Sequence, residues 1–385
     1  MYLLKLLFRN AFRHKLRTLL TILAITIAIL AFGLLRTVIS AWYGGVEASS
    51  ASRLITRNAI SIIFPLPLSY KDKIRQIDGV KQVSWGNWFG GLYKDEKTFF
   101  ANFAVEPKSY LELYPEYILS QDQLGPFLRD RKAFVAGRKL AAKYKWKIGD
   151  TVTLRGTIFP GNWEFVMRGI YRGRDENTDE TQFFFHWDYL NETVKKSFPA
   201  RADQVGFYMI GVTRPDRAAD AALAIDRTFK NSLAETLTET EKAFQLSFIS
   251  MTEAIIIAIQ LVSFVVIVII VAVVANTMSM TARERTGEYA IFKTLGFRGW
   301  RIGVLILGES LVITGMGCAL GIILTFPAAT VFKSLLGAYF PVFNVADETL
   351  YMDVVASLLV GLIAAIVPTW RAVTIRIADG LRRIG

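Results

Sequence analysis

The chain has 385 residues, 52% of them hydrophobic, with a formal net charge of +12 and a mean hydropathy of +0.35. That is too apolar for an ordinary water-soluble protein and, at 20% charged residues, too polar to lie wholly in lipid, so segments of both kinds are expected. The absence of any Gly-Lys pair excludes a phosphate-binding P-loop, the lack of HExxH and CxxC argues against zinc, and the single Cys318 rules out an internal disulfide.

Met1 to Arg17 is basic and amphipathic, with Lys5, Arg9, Arg13 and Arg17 four apart, and it reads as an interfacial helix in the headgroup region. Thr18 to Leu35 then carries no charge, and a first span is placed at 18–42. The run is longer than a signal-peptide core and no convincing cleavage site follows, which favours an uncleaved anchor. Arg36 reads as snorkelling at the far interface, and Trp42 and Tyr43 fit an aromatic belt.

A globular segment follows over 43–245, long enough for one or two cores. Its texture is mixed. Tyr70 to Ile77 reads as a helix, FFANFAVE as a strand stopping at Pro107, and Ala133 to Val135 as a strand leading into a helix, GRKLAAKYKW. TVTLRG, Trp163 to Tyr171 and Gly206 to Thr213 read as strands, with a helix after Pro215, so a split α+β domain is expected. Leu233, Leu237, Thr240, Phe244, Ser247, Met251 and Ile255 recur at three or four residues, which predicts an unbroken helix into the second span. Val46 to Ile55 would extend the first span as its partner. Trp85, Trp88, Phe89 and Trp163 read as core, His186 as a packing or surface residue, and Glu96, Asp175, Glu176, Asp179 and Glu180 as solvated loop charges.

Ala254 to Ala282 is free of charge, as are Ser310 to Phe332 and Val354 to Trp370. A hydrocarbon core about 30 Å thick needs roughly 20 helical residues, so these give spans at 246–281, 302–332 and 354–370. The polar island between the second and third spans, 282–301, reads as a short helix with apolar Tyr289, Ile291, Phe292 and Leu295 beside Arg283, Arg285, Glu288 and Lys293. So many large apolar residues in a short loop suggest a docking surface. Met1 to Arg17 and the island each carry five Lys or Arg, whereas the loop 333–353 has one lysine and three acids. Positive residues stay inside, which puts the termini, including the tail 371–385, and the island in the cytoplasm and the large domain outside. Gly317 with Gly321, and Ser357, Gly361 and Ala365, form small-residue rows suited either to packing within the chain or to a dimer. Glu309, the lone acid in the third span, is a candidate functional carboxylate or a partner for a nearby cation.

RNAFRHKLRTLLTILAITIAI, RERTGEYAIFKTLGF followed by ILGESLVITGMGCALG, VPTWRAVTIRIADGLR, and FVAGRKLAAKYKWKIGDTVTLRG resemble, in that spacing, the MacB/FtsX-type ABC transporter permeases, the mechanotransmission family. Ala290 stands where that family often has glycine, and no ATPase is fused. The resemblance implies a four-span, non-catalytic membrane subunit of the bacterial inner membrane, with a porter-like part and an inserted sabre-like part in its periplasmic domain. It further implies a dimer with a second permease copy, bound to separate ABC ATPase subunits that hold ATP and Mg. Arg285, Glu288, Tyr289, Phe292, Lys293, Leu295 and Phe297 would then couple to the ATPase. A periplasmic adaptor and an outer-membrane duct are further implied partners; no cofactor on this chain and no nucleic acid is expected. The expected task is efflux of a hydrophobic compound, peptide or lipoprotein. The alternatives are ATP-driven control of a cell-wall hydrolase, as in FtsX, and a membrane-anchored enzyme or receptor, against which no GxSxG motif or histidine cluster is present.

Overall fold

A computed structural model describes residues 2–375 apart from 96–97, 99, 176, 337–339 and 341. Glu96, Glu176 and the tail beyond Ile375 therefore lie outside the described residues. In chain order the elements are α1 (Tyr2–Ala11), α2 (Lys15–Ala48), β1 (Arg53–Asn58), β2 (Leu66–Pro67), α3 (Tyr70–Ile74), β3 (Val80–Trp88), β4 (Gly91–Leu92) and β5 (Asn102–Val105). They continue with α4 (Pro107–Leu113), β6 (Tyr117–Ile118), α5 (Gln121–Arg129), β7 (Ala133–Gly137), α6 (Arg138–Tyr144), β8 (Thr151–Gly156), β9 (Gly161–Gly173), β10 (Phe183–His186) and α7 (Trp187–Ser197). Then come β11 (Gln204–Val205), β12 (Phe207–Val212), α8 (Ala218–Thr228), β13 (Thr236–Thr240), α9 (Glu241–Ser250), α10 (Glu253–Glu284), α11 (Thr286–Thr294), α12 (Gly299–Leu336) and α13 (Asp347–Thr374).

Two compact units result: a helical unit from 1–41, 252–336 and 343–385, and a large domain from 42–251 with 337–342. Among the described residues, four helices, α2, α10, α12 and α13, are long and apolar enough to cross a membrane. With no water in a bilayer core, a span must satisfy every backbone group internally, which is why these charge-free runs are helical throughout. Their shared core is aliphatic: Ile22, Ile25 and Ile29 of α2, Ile270, Val274 and Met278 of α10, Ile313 of α12, and Val360 and Ala364 of α13.

The large domain is built on one mixed sheet, in the order β13-β1-β12-β3-β5-β10-β7-β9-β8-β4, with β6 attached to β9. β4 follows β3 after only Phe89 and Gly90 yet pairs with β8 at the far edge, so the sheet between them must curl back on itself. Gly90 makes that corner with φ +66°, a left-handed conformation that suits glycine. Successive strand residues face opposite sides, and both sides are packed. Phe134 and Ala136 of β7 with Phe183 and Phe185 of β10 enter one core, while Ala133, Val135 and Phe184 enter the other. Phe89 sits among Phe159, Trp163, Phe165 and Phe185; the fully buried Phe89, Phe165 and Phe185 rings each contribute about 1.5–3 kcal/mol.

Three expectations about helices need correction. The leader is not one helix over 1–17: α1 ends at Ala11, and the Thr18 hydroxyl donates to the Ala11 carbonyl, closing a corner before α2 runs on. The first span does not extend to Ile55, because α2 ends at Ala48 and Arg53–Asn58 is a strand. Nor does an unbroken helix run from Leu233 to Ile255. TLTET alternates β-branched threonines and forms β13 against β1, with Leu54 opposite Thr240, and the chain turns at Met251 and Thr252 between α9 and α10. A period of three to four over a few residues was outweighed by a period of two with a pairing partner.

Side chains in the large domain also sort themselves. Trp85, Phe89 and Trp163 are buried, whereas Trp88 is exposed by more than a third and lies edge-on to Phe103. His186 is buried and its Nε2 bonds the Phe127 carbonyl at 2.7 Å; burial pushes its pKa down and keeps the ring neutral. Glu180 is no solvated loop charge. It is buried, and although burial pushes its pKa up, the Gly173 N–H at 3.0 Å and Arg138 at 3.0 Å outweigh that and hold it below the usual carboxylate range.

Candidate functional site

The polar island folds as the tail of α10, the helix α11, and a turn at Gly296, whose φ of +86° lets the chain reverse into α12. The inner face of α11 is buried: Tyr289 packs with Ala282, Ile302, Ile306 and Ala372, with Phe292 half-buried beside them, and Ala290 is fully covered. Ile291 on α11, Leu295 and Phe297 in the turn that follows, and Trp300 at the start of α12 are exposed, Leu295 by 70%. Four large apolar residues on one short piece make a patch that water alone does not stabilise.

Charged side chains fasten this piece to its surroundings. Arg285 is buried against the Tyr289 ring and donates to Glu309 Oε2 at 2.9 Å and to Glu288 Oε2 at 3.0 Å. Arg13, in the corner between α1 and α2, bonds the other oxygen of Glu288. Burial alone pushes the Glu288 pKa up, but Arg13 and Arg285 together hold it below the usual range. Arg17 donates twice to Glu284, at 2.7 and 2.8 Å. Lys293 gives its ammonium to the Val373 and Ile375 carbonyls, both at 2.7 Å, so it caps the end of α13. Breaking a buried ion pair such as Arg285–Glu309 from one side costs about 3–5 kcal/mol, because the remaining charge is stranded.

The sequence-nominated residues thus divide. Arg285, Tyr289 and Lys293 hold α11 in place from within, Glu288 and Phe292 are partly covered, and Leu295 and Phe297 face outward. Ile291 and Trp300 belong to the same exposed patch. The acid Glu309 finds its cation in Arg285 rather than in Arg301, which lies over the Phe297 and Trp300 rings. Small residues close contacts inside the chain. A Cβ at Gly317 or Gly321 would lie 2.6 or 2.8 Å from Ile25 or Ile29 of α2, and one at Gly361 would lie 2.6 Å from Thr314. The Ser357 hydroxyl donates to Thr314 O at 3.0 Å, Ser310 to Gly361 O at 2.8 Å, and Ala365 is fully buried. Arg36 is half-buried, and its Nε has no hydrogen-bond partner.

A second arrangement, in the large domain, had no local signal in the chain. Arg53 is buried between Glu116 at 2.6 Å and Glu241 at 2.7 Å, over the Tyr114 ring at 4.2 Å, and Glu241 also accepts from Ser50 N at 2.9 Å. The chain enters the domain at Ser50 and leaves it through α9, so one carboxylate ties entry to exit. Its three ionic members are separated by scores of residues, which is why no motif disclosed them. A third feature is the loop after β1, where Ile60, Ile63 and Phe64 stand exposed.

Residues 260–377 match the family described as FtsX-like permease C-terminal. An uncharacterized ABC transporter permease of Methanocaldococcus jannaschii is 24% identical over 349 residues, covering 85% of this chain and 84% of that protein. Among solved structures, the extracellular domain of the noncanonical ABC-type transporter YknZ from Gram-positive bacteria overlaps 49% of this chain and 100% of its own, with a TM-score of 0.35 and 12% identity. The periplasmic region of MacB from Actinobacillus actinomycetemcomitans overlaps 53% of this chain and 95% of its own, with a TM-score of 0.39 and 9% identity.

Proposed function

We propose that this chain, an ABC transporter permease of the FtsX/MacB type, carries the work of a separate ATPase subunit into motion of its large domain. The observation that supports the reading is α11, a helix anchored by Arg285–Glu309, Arg13–Glu288 and Lys293 on the end of α13, with exposed apolar residues on it and on the turn into α12. A handle must be stiffly attached to what it moves and must offer a surface to what grips it. Ile291, Leu295, Phe297 and Trp300 are that surface, and the ATP and Mg are held by the partner. The balance of basic residues supports a cytoplasmic side for α11 and both termini, in a bacterial inner membrane, with the large domain outside.

Force entering through α2 and α10 reaches the large domain where Arg53, Glu116 and Glu241 tie its two chain connections together. A second permease copy completes the motor, each copy gripping one ATPase. The cargo we propose is a hydrophobic compound, peptide or lipoprotein; the exposed Ile60, Ile63 and Phe64 support an apolar client. Co-purification tests the docking claim. Leu295→Asp, at a position 70% exposed, is expected to abolish association of the ATPase while leaving the thermal midpoint of the chain unchanged. Undiminished association in both Leu295→Asp and Phe297→Asp would refute it.

A further inference from the structure

Asp353 lies six residues inside α13, completely buried, and neither carboxyl oxygen has a hydrogen-bond partner. Glu180, Glu241 and Glu309, the other buried acids among the described residues, are each paired with an arginine. The groups around Asp353 are committed elsewhere. Thr325 of α12 donates to Gly321 O at 2.9 Å, and the Cys318 thiol lies 3.7 Å from the Asp353 backbone carbonyl. Gly33 of α2 makes the room: a Cβ there would sit 3.0 Å from Asp353 Oδ2 and 3.2 Å from the Thr325 hydroxyl.

Three residues along α2 from Gly33 stands Arg36, whose buried Nε also lacks a partner. Three residues of helix rise about 4.5 Å and return to nearly the same face. Helical Cβ atoms tilt toward the N-terminus, and the backbone of Arg36 sits one turn beyond Gly33, the residue of α2 that meets Asp353. Arg36 is half-buried and always protonated, so it is a standing cation near this site, and a carboxylate buried without a counterion is strongly disfavoured. The contact of Gly33 with Asp353 therefore brings a permanent cation of α2 within about one helical turn of a buried, unbonded acid of α13.

We infer that Arg36 and Asp353 form a latent ion pair, open in the arrangement seen here and closed when α2 shifts along α13 by up to one helical turn. One-turn displacements of about 5.4 Å between packed helices are an established switching movement. The pair favours the shifted state over the present one and so gives the spans a second defined position. This inference rests on the reading that the spans move, and its tests separate the two.

In membranes containing the full chain with Cys318→Ser, the double variant Arg36→Cys/Asp353→Cys is expected to form a disulfide on mild oxidation, whether or not an ATPase is bound. Absence of that cross-link under every condition overturns the latent pair even if the ATPase associates normally. A cross-link without any associating ATPase sustains the pair and removes the motor proposal. In the complex, Arg36→Gln and Asp353→Asn should each lower permease-stimulated ATP hydrolysis about tenfold, within the usual range of coupling between sites, and the swap Arg36→Asp/Asp353→Arg should restore most of it. Because the groups are unpaired in the present arrangement, the thermal midpoint of Asp353→Asn should be unchanged or raised. Unaltered stimulation in both single variants, or a lowered midpoint in Asp353→Asn, overturns the inference.

Discussion

At the end of the helical unit that bears α11, Arg285 meets Glu309 and Glu288, Arg13 meets Glu288, Arg17 meets Glu284, and Lys293 meets two carbonyls of α13. Toward the other end, Asp353 is wholly buried with no partner for either oxygen, and Arg36 keeps an unbonded Nε. The same helices carry both ends: α12 brings Glu309 to one and Thr325 to the other, while α13 brings Val373 to one and Asp353 to the other. Cross-pairing holds elements in one geometry, whereas unpaired charges favour any movement that brings them a counterion. The contrast is between an end whose charges hold it in one geometry and an end with a buried, unbonded acid, and these are the pieces we propose to be gripped and to shift.

Stranding a charge at the paired end should produce the largest change. Glu309→Leu leaves Arg285 buried with only Glu288 for company, and we expect a loss of about 3–5 kcal/mol, read as a lower thermal midpoint in micelles. Adding Arg285→Met should recover much of that loss by removing the stranded guanidinium. If Glu309→Leu proves as harmless as Asp353→Asn, the two ends do not differ and the contrast collapses.

Packing between the ends offers a smaller effect. Gly321→Ala drives a Cβ to 2.8 Å from Ile29 and 3.1 Å from the Thr26 carbonyl, a clash that α2 or α12 must absorb by shifting, at about 1–3 kcal/mol. Gly315, six residues earlier on α12, has no atom within 4 Å of the same point, so Gly315→Ala should instead stabilise the helix by about 0.5–1 kcal/mol. Opposite signs at neighbouring glycines are the expected outcome; equal effects would mean that α2 does not press on α12 as described.

The smallest effect comes from the large domain, where a buried ionisable group without a counterion answers by staying neutral. The folded-state pKa of His186 is depressed by burial, so its contribution to stability is fully present above the ordinary value of about 6.5 and is lost as pH falls below it. Tryptophan fluorescence should show stability declining with acidification by at most about 1.4 kcal/mol per pH unit from this residue, and His186→Gln should flatten that decline. An unchanged slope in the variant would show that the ring is already protonated in the folded domain. Arg36, half-buried and always protonated, keeps its charge in either arrangement, unlike a histidine that sheds its proton.

Hydropathy made the four spans legible, because a bilayer demands the same local property of every residue in a crossing helix: Ala254 to Ala282 needs no partner to be read as a span. The short helix of the island was legible for a similar reason, since Gly287 to Gly296 combines helix formers with a glycine stop. Leu237 and Thr240 were misread as helical because strand formation there depends on β1, which lies far upstream in the chain. Likewise Asp353, taken from the sequence as the boundary of the last span, proves to lie inside α13 with Gly33 making space for it. Neither Arg53 between Glu116 and Glu241 nor Arg285 on Glu309 is announced by any motif.

The amino-acid sequence by itself determined where the chain crosses lipid, that a polar helical piece interrupts the crossings, and that a mixed α/β domain of about two hundred residues is inserted after the first. Only the tertiary structure decided which charges meet, which small residues face which branched ones, and that Asp353 is buried with neither carboxyl oxygen bonded. Hydropathy and turn chemistry act through neighbours in the chain, whereas an ion pair or a close helix contact depends on residues that the fold alone brings within a few ångströms.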